Sequence, residues 1–215
     1  MNRKQTMNVQ MKSYLAGMIF LGLFSMTATA QNRAIGLRLG DPSGITFKQY
    51  TGSNNALEIN VGRTYTFNLN GLYDAQFIDW YSTNNFLYSN FQYLGFTSTT
   101  PMSVQVHYLI QKSISKVVDE PVSGLVWYYG LGGQARLQSY TYNYRYQLTG
   151  SNQWYNATSR RLTNVDIGAD AILGLEYTLK DVPLSLSLDV TVFVEVLDEP
   201  FRVWLQNGLG VKYRF

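Results

Sequence analysis

Residues 207–215 read N-G-L-G-V-K-Y-R-F and are the last of the chain. Leu209, Val211, Tyr213 and Phe215 fall on one side of an extended strand, and Gly208, Gly210, Lys212 and Arg214 on the other. A soluble edge strand alternates in the same way, but it seldom finishes on an aromatic residue in register with its apolar face. A strand that closes a barrel within a membrane is expected to do so.

The same rhythm continues upstream. In 184–195, Leu184, Leu186, Leu188, Val190, Val192 and Val194 alternate with Ser185, Ser187, Asp189, Thr191, Phe193 and Glu195. Twelve residues is long for a globular strand of about 5–6 and suits a tilted membrane strand of roughly 9–11. In 165–179, Ile167, Ala169, Ala171, Leu173, Leu175 and Tyr177 oppose Asp166, Gly168, Asp170, Gly174 and Glu176. The turn 180–183, K-D-V-P, is short enough to make these two an antiparallel hairpin. Further back, alternating stretches occupy 124–137, 103–111, 56–62, 44–50 and 34–40, the last two joined by D-P-S-G at 41–44, a strong turn signal. Eight strands result, an even number, as closure of a single-chain barrel requires. With both chain ends on one side, the two longest connections, near 63–100 and 139–164, fall together on the opposite side, expected to be extracellular.

The stretch 64–96 is too aromatic and too alternating for a plain loop. Tyr65, Phe67 and Leu69 alternate, and Asn84-Asn85 reads as a hairpin tip. We expect a tall extension of the third and fourth strands beyond the membrane. The alternative reading adds two spanning strands and gives ten.

Composition agrees with strands. The 215 residues include 17 Tyr, 11 Phe and 18 Gly but no Cys, and the mean hydropathy is slightly negative at −0.13. A helical membrane protein would be far more apolar. Absence of Cys excludes a disulfide framework, a thiolate metal site, a Cys nucleophile and a lipidated N-terminal Cys. The first thirty residues carry Arg3, Lys4 and Lys12 without an acid, an apolar run over 14–26, and then Ala28-Thr29-Ala30. This is the pattern of a secretory signal peptide cleaved after Ala30, leaving 31–215 as one barrel domain; Met7 or Met11 would serve equally as the start. Setting those three bases aside, 14 Lys and Arg face 14 Asp and Glu. The mature chain is therefore near neutral and offers no electrostatic case for nucleic acid.

Parity places Arg38, Lys48, Arg136, Lys212 and Arg214 on the inward face, together with Glu58, Asp166, Asp170, Glu176, Asp189 and Glu195. The interior of an eight-stranded barrel is just wide enough for side chains to fill, and buried charge demands pairing. A plugged ionic network is expected in preference to a narrow ion or proton path. His107 is the one histidine and also faces inward, with Ser103 on the same strand face and Ser113 near in sequence. A nucleophile needs its base within hydrogen-bond reach and a third group to orient it; nothing in the sequence supplies that geometry, so His107 reads as a network member rather than a catalytic base. No cofactor or metal site is indicated. Asp119-Glu120 and Asp198-Glu199 each precede Pro and read as solvated turns. Gly130, Gly132 and Gly133 precede no helix, so the logic of phosphate binding fails, and crowding within a curved strand accounts for them better.

In the third outer connection, Tyr140, Tyr142, Tyr144, Tyr146, Trp154 and Tyr155 stand beside Arg145, Arg160 and Arg161. Aromatics next to arginine suit protein or carbohydrate surfaces. Tyr140 and Tyr142 read as an aromatic girdle at the lipid headgroups, whereas Tyr144, Arg145, Trp154, Tyr155, Arg160 and Arg161 read as surface contacts.

These pieces resemble the small outer-membrane β-barrels of Bacteroidetes, which share the OmpX/OmpA-type eight-stranded plan. The resemblance is carried by A-I-G-L-R-L-G-D-P-S-G-I-T-F-K at 34–48, A-L-E-I-N-V-G at 56–62 and W-Y-Y-G-L-G-G at 127–133. D-A-I-L-G-L-E-Y-T-L-K-D-V-P-L-S-L-S-L-D at 170–189 and the terminal V-K-Y-R-F complete it, in the family's order. It implies location in the outer membrane, insertion by the barrel-assembly machinery through a terminal signal of Gly210, Tyr213 and Phe215, and contact with outer-membrane lipid and lipopolysaccharide. Two features depart from the pattern: 63–100 is longer than the usual second outer loop, and Gly208 stands where a polar residue is usual. The family transfers no catalytic residue. The expectation is a non-enzymatic barrel that stiffens the envelope or presents loops to an extracellular protein or glycan. Its competitors are a lipid-modifying barrel enzyme with His107 as base, and a small pore.

Overall fold

The computed structural model describes residues 32–65, 70–84, 88–117, 120–197 and 201–215. The expected signal peptide and its cleavage site lie outside them, as do Phe67, Leu69, Asn85, Asp119, Asp198 and Glu199. In chain order the elements are β1 (Arg33–Gly40), β2 (Ser43–Tyr50), β3 (Asn55–Arg63), α1 (Asn70–Asn84), β4 (Tyr88–Ser98), β5 (Met102–Ser113), β6 (Lys116–Val117) and β7 (Glu120–Pro121). They continue with β8 (Leu125–Leu148), β9 (Trp154–Thr158), β10 (Leu162–Thr178), β11 (Leu184–Leu197) and β12 (Val203–Arg214).

Eight of these strands close on themselves, every pair antiparallel, in the order β1-β2-β3-β5-β8-β10-β11-β12 and back to β1. Closure leaves no edge within the barrel. The chain ends clasp: Phe215 N donates to Arg33 O at 2.8 Å, and Arg33 N donates to Phe215 O at 3.2 Å. The ends and the connections β2–β3, β5–β8 and β10–β11 mark one end of the barrel, called here the terminal end; the other four connections mark the distal end.

Burial follows parity and is inverted relative to a soluble protein. Leu37, Leu39, Leu131, Leu173, Leu188, Val190, Leu209 and Val211 point outward and are exposed, Leu131 by 72 %. Inward neighbours such as Lys48, Glu58, Gln105, His107, Asp170 and Lys212 are buried. Apolar outside and polar inside, on a closed antiparallel barrel, is the architecture of a transmembrane β-barrel. Trp127, Tyr129, Tyr177, Tyr213 and Phe215 lie near the terminal end and form an aromatic girdle of the kind that marks a membrane interface. Lys112 Nζ reaches over two of these rings, 5.5 Å from Trp127 and 5.8 Å from Tyr129. Tyr213 and Phe215 stack at 6.5 Å, while Gly210, facing inward between them and the distal end, is buried.

At the distal end the structure corrects the sequence reading. Among the described residues the third and fourth strands form no tall hairpin, and the barrel wall closes on eight strands rather than ten. The chain leaves β3, forms α1, and returns as β4, which pairs with the upper part of β8 rather than with β3. The connection expected over 139–164 is largely strand: β8 runs 24 residues, turns at Thr149-Gly150 with Gly150 at φ 85°, and returns as β9 on its other side. β4, β8 and β9 form a three-stranded sheet above the barrel wall. Helix α1 presents Tyr73, Phe77 and Tyr81, at i, i+4 and i+8, to that sheet. Its last turn is held by Thr83 and Asn84, whose side chains donate to the carbonyls of Asp79 and Trp80, each at 2.8 Å.

Candidate functional site

The lumen holds the ionic residues singled out by sequence and the distal region most of the aromatic and arginine ones, while Tyr213 and Phe215 lie on the outward face at the terminal end. Within the lumen, strand register decides which charges meet. Lys48 opposes Glu58 across β2 and β3, but its closest acid is on the far wall: Nζ donates to Glu176 Oε2 at 2.8 Å, with Glu58 at 3.9 Å. Lys212 Nζ donates to Glu58 Oε2 at 2.7 Å and to Glu176 Oε2 at 3.2 Å. The result is a two-lysine, two-glutamate square spanning four strands, completed by Tyr50 OH donating to Glu176 Oε1 at 2.6 Å. Arg38 and Asp189 form a separate two-pronged pair, with Nη1–Oδ2 at 2.5 Å and Nη2–Oδ1 at 2.7 Å. Such fork-to-fork contact is the strong form of the bond. Tyr128 OH adds a donor to Asp189 at 3.3 Å.

Nearer the distal end, amides take over. Gln105 Nε2 donates to Gln206 Oε1 at 2.8 Å and to Gln134 Oε1 at 3.2 Å, and Gln134 Nε2 donates to Ser103 Oγ at 2.6 Å. Arg136 donates through Nη2 to Thr64 Oγ1 at 3.2 Å and lies over Trp204, 4.9 Å from the ring centroid, and Phe193, 5.5 Å. The Thr64 hydroxyl bonds the Asp41 carboxylate, itself 3.9 Å from Arg136. Asp166 accepts from Asn164 Nδ2 at 2.6 Å, and Glu195 is buried on β11. Arg214, at the terminal rim, donates to Thr178 Oγ1 at 3.0 Å and lies 4.4 Å from the Tyr50 ring centroid.

His107 is fully buried, its Nε2 3.0 Å from Asp170 Oδ2, and both groups are sealed from solvent. Ser103, four residues away on the same face, is engaged with Gln134. Ser113 lies at the far end of β5 and is exposed. His107 and Asp170 thus form a pair inside the wall, with neither serine presented to the imidazole by a hydrogen bond.

The glycines are spaces for these side chains. A Cβ on Gly208 would occupy the position of the Arg38 guanidinium, and one on Gly174 would meet the ring of Tyr128 within 2.6 Å. A Cβ on Gly132 would come within 2.6 Å of His107 Cδ2. The departure at Gly208 therefore has a physical cause: a polar side chain there would displace Arg38 from Asp189.

Above the lumen the inward face of β8 changes from Gln134, Arg136 and Gln138 to Tyr140, Tyr142, Tyr144 and Tyr146. These rings and those of α1 and β4 pack together. Phe77 lies 4.5 Å from Tyr93 and 5.3 Å from Tyr142 between centroids, Tyr73 lies 4.1 Å from Tyr140, and Tyr81 lies 4.1 Å from Phe91. Tyr73 OH donates to Gln138 Oε1 at 3.1 Å and joins this cluster to the polar lumen; Trp204, the partner of Arg136, packs against it as well. Two expectations fail here. Tyr140 and Tyr142 are not a lipid-facing girdle, for Tyr142 is fully buried in the cluster, and Tyr144, 7 % exposed, is not a surface contact. The parity that aims them inward in the barrel still aims them inward above it, where α1 covers them. Burial pushes the hydroxyls of Tyr93 and Tyr142 above the ordinary tyrosine value, helped by the Tyr93 bond to Asp74 at 2.5 Å and by Tyr140 beside Tyr142. Tyr73, Phe77, Trp80 and Tyr81 were missed from sequence, although their i, i+4, i+7, i+8 spacing is a helical signal.

The outward face of the sheet is different again. Arg145 lies 4.7 Å from the Trp154 ring centroid and donates through Nε to Gln92 Oε1 at 2.7 Å. Trp154 is 40 % exposed, and Arg160 and Arg161 are exposed. Tyr155 turns to the other face and stacks on Tyr146 at 5.8 Å. A separate open cleft of about 370 Å³ lies at the base of the sheet, lined by Thr64, Tyr65, Ser98, Thr99, Thr100, Pro101 and Gln138, with no charged side chain.

These features define a small transmembrane β-barrel with a filled polar interior and a packed distal cap. No protein-family model matches the chain, and no curated protein matches it. Among solved structures it is similar to the N-terminal β-barrel domain of Pseudomonas aeruginosa OprF, at 12% identity and TM-score 0.43, over 87% of this chain and 100% of that one. It is also similar to Ail, the attachment invasion locus protein of Yersinia pestis, at 9% identity and TM-score 0.42, over 85% of this chain and 96% of that one. Neisserial surface protein A matches at 13% identity and TM-score 0.36, over 85% and 94%.

Proposed function

We propose that the chain is an exported, non-enzymatic outer-membrane barrel of the small Bacteroidetes type. In this reading the signal peptide is removed after Ala30, residues 31–215 are inserted by the barrel-assembly machinery through Gly210, Tyr213 and Phe215, and the distal sheet stands outside the cell. Its work is to present that sheet as a rigid surface for an extracellular protein or glycan and to brace the envelope. The observation that carries this is the division along β8: a lumen filled by paired charges, directly continued by an aromatic core that anchors one projecting sheet. A lumen closed by Arg38–Asp189 and the lysine–glutamate square favours a plug over a pore, and an imidazole sealed against Asp170 favours a structural histidine over a base acting on lipid. Two measurements test the reading. Purified protein in planar bilayers is expected to conduct little; large, stable conductance steps would overturn the plug. Gly150→Cys, at the β8–β9 turn, is expected to react with a membrane-impermeant maleimide on intact cells; protection until lysis would refute surface presentation.

A further inference from the structure

We propose that the outward face of the β4–β8–β9 sheet is a binding face for the negatively charged saccharide of the glycolipid in the same outer leaflet. The inference rests on the surface reading above and names the ligand of that sheet. Its first ground is continuity. The outward positions of β8 that precede it, Leu131 and Leu137, face acyl chains, and Thr141, Asn143, Arg145 and Gln147 follow on the same side of the same strand. At about 3.3 Å per residue and a tilt of about 40°, Arg145 stands roughly 20 Å above Leu137. What occupies that height directly above acyl chains is the sugar portion of the lipid that owns them.

The second ground is chemistry. The outward rows are Asn90–Gln147–Trp154 and Gln92–Arg145–Asn156, followed by Asn143 beside Thr158. Amides and hydroxyls on this face hold one another in place: Asn90 Nδ2 donates to Gln147 Oε1 at 2.8 Å, and Thr158 Oγ1 donates to Asn143 Oδ1 at 3.2 Å. A preordered lattice of planar amides beside an exposed indole matches the paired hydroxyls and apolar faces of sugar rings, and it loses little entropy on binding.

The third ground is charge. β4 carries none, and the segment 141–161 carries Arg145, Arg160 and Arg161 with no acid. Of the five N–H donors of Arg145, Nε–H is used by Gln92, and the guanidinium remains stacked on Trp154, a geometry suited to phosphate or carboxylate. Arg63, exposed and in register with Met102 at the top of the apolar band, adds a cation at headgroup level.

The test compares the full mature chain in nanodiscs holding lipopolysaccharide with a phosphorylated core against nanodiscs holding lipid A alone, by hydrogen exchange. Exchange in upper β8 and β9 is expected to be at least about threefold slower with the core present, while peptides of α1 stay unchanged. Arg145→Gln with Trp154→Ala should abolish that difference and keep the heat-modifiable mobility of the intact barrel. Gln92→Ala with Asn156→Ala serves as a second variant and should weaken it. Equal exchange in the two lipids would overturn the proposal, as would protection that survives both variants. If Gly150→Cys is reached from outside and the exchange rates match, only the saccharide contact falls; if it is not reached, the surface reading falls with it.

Discussion

Strand β8 carries two opposite solutions to burial on one uninterrupted alternation. From 131 to 138 its outward side carries the exposed Leu131 and Leu137, and its inward side chains, Gln134, Arg136 and Gln138, are polar and buried. From 140 to 147 the inward residues are tyrosines buried under α1, and the outward ones are Thr141, Asn143, Arg145 and Gln147. Backbone geometry does not change between the halves. What changes is the solvent outside the wall, hydrocarbon below and water above, and both faces switch together near residue 138. In the lower half, stability comes from polar groups satisfying one another in a closed space; in the upper half it comes from burying aromatic surface.

Four substitutions would break or sharpen that contrast. The largest effect is expected in the lower half. Asp189→Ala strands the Arg38 guanidinium within the wall and should lower unfolding stability by about 3–5 kcal/mol, read from urea titration in detergent micelles. A loss under about 1 kcal/mol would mean that the lumen solvates an unpaired arginine. In the upper half, Phe77→Ala removes the ring that contacts Tyr93, Tyr142 and Tyr144. It should cost about 3 kcal/mol, but locally: limited proteolysis should cut within α1 while the barrel keeps its folded electrophoretic mobility. Loss of the barrel as well would show that the halves fold as one unit.

Gly208→Ala tests the lumen more finely. The new methyl must share the space of the Arg38 guanidinium, for an expected loss of about 1–3 kcal/mol. Arg38→Ala in the same chain should make the extra methyl nearly neutral, and a double-mutant cycle measures the coupling. The smallest effect is in the cap. Tyr93→Phe removes the bond to Asp74, about 1 kcal/mol. Because burial and Asp74 raise the Tyr93 hydroxyl, the folded cap holds its proton above about pH 10, where an unfolded tyrosine ionises. Cap stability is therefore full below that pH and falls as pH rises through it. Near-ultraviolet circular dichroism should show the cap loosening, with a shallower dependence in Tyr93→Phe; an identical dependence in both proteins would remove Tyr93 from the account.

Legibility differed between the same two regions. The runs 184–195 and 207–215 announce their strands because a wall between lipid and a polar lumen imposes a strict period of two. Inward parity likewise placed Arg38, Lys48, Glu58 and Asp189 on the interior side. The pairing did not follow: Lys48 opposes Glu58 in register but lies closer to Glu176, 128 residues away. The cap was misread because Tyr65, Phe67 and Leu69 alternate just ahead of Tyr73, Phe77 and Tyr81, whose spacing is helical. Aromatics suit strands as well as a buried helix face, and the period of two at 65–69 gives way to a helical spacing from Tyr73 onward.

The sequence alone determined which face of each wall strand meets lipid, because that follows from alternation, which is local; it favoured eight strands but left ten open, and closure on eight is a property of the tertiary structure. Only the tertiary structure decided which charges pair across the lumen, why Gly208 must be small, and where the aromatics of 140–146 go. The outward edge of β8 is read one residue at a time, whereas the inner face belongs to eight strands at once. Its contacts depend on closure, on register and on Phe77 of α1 arriving from 65 residues upstream to cover Tyr142.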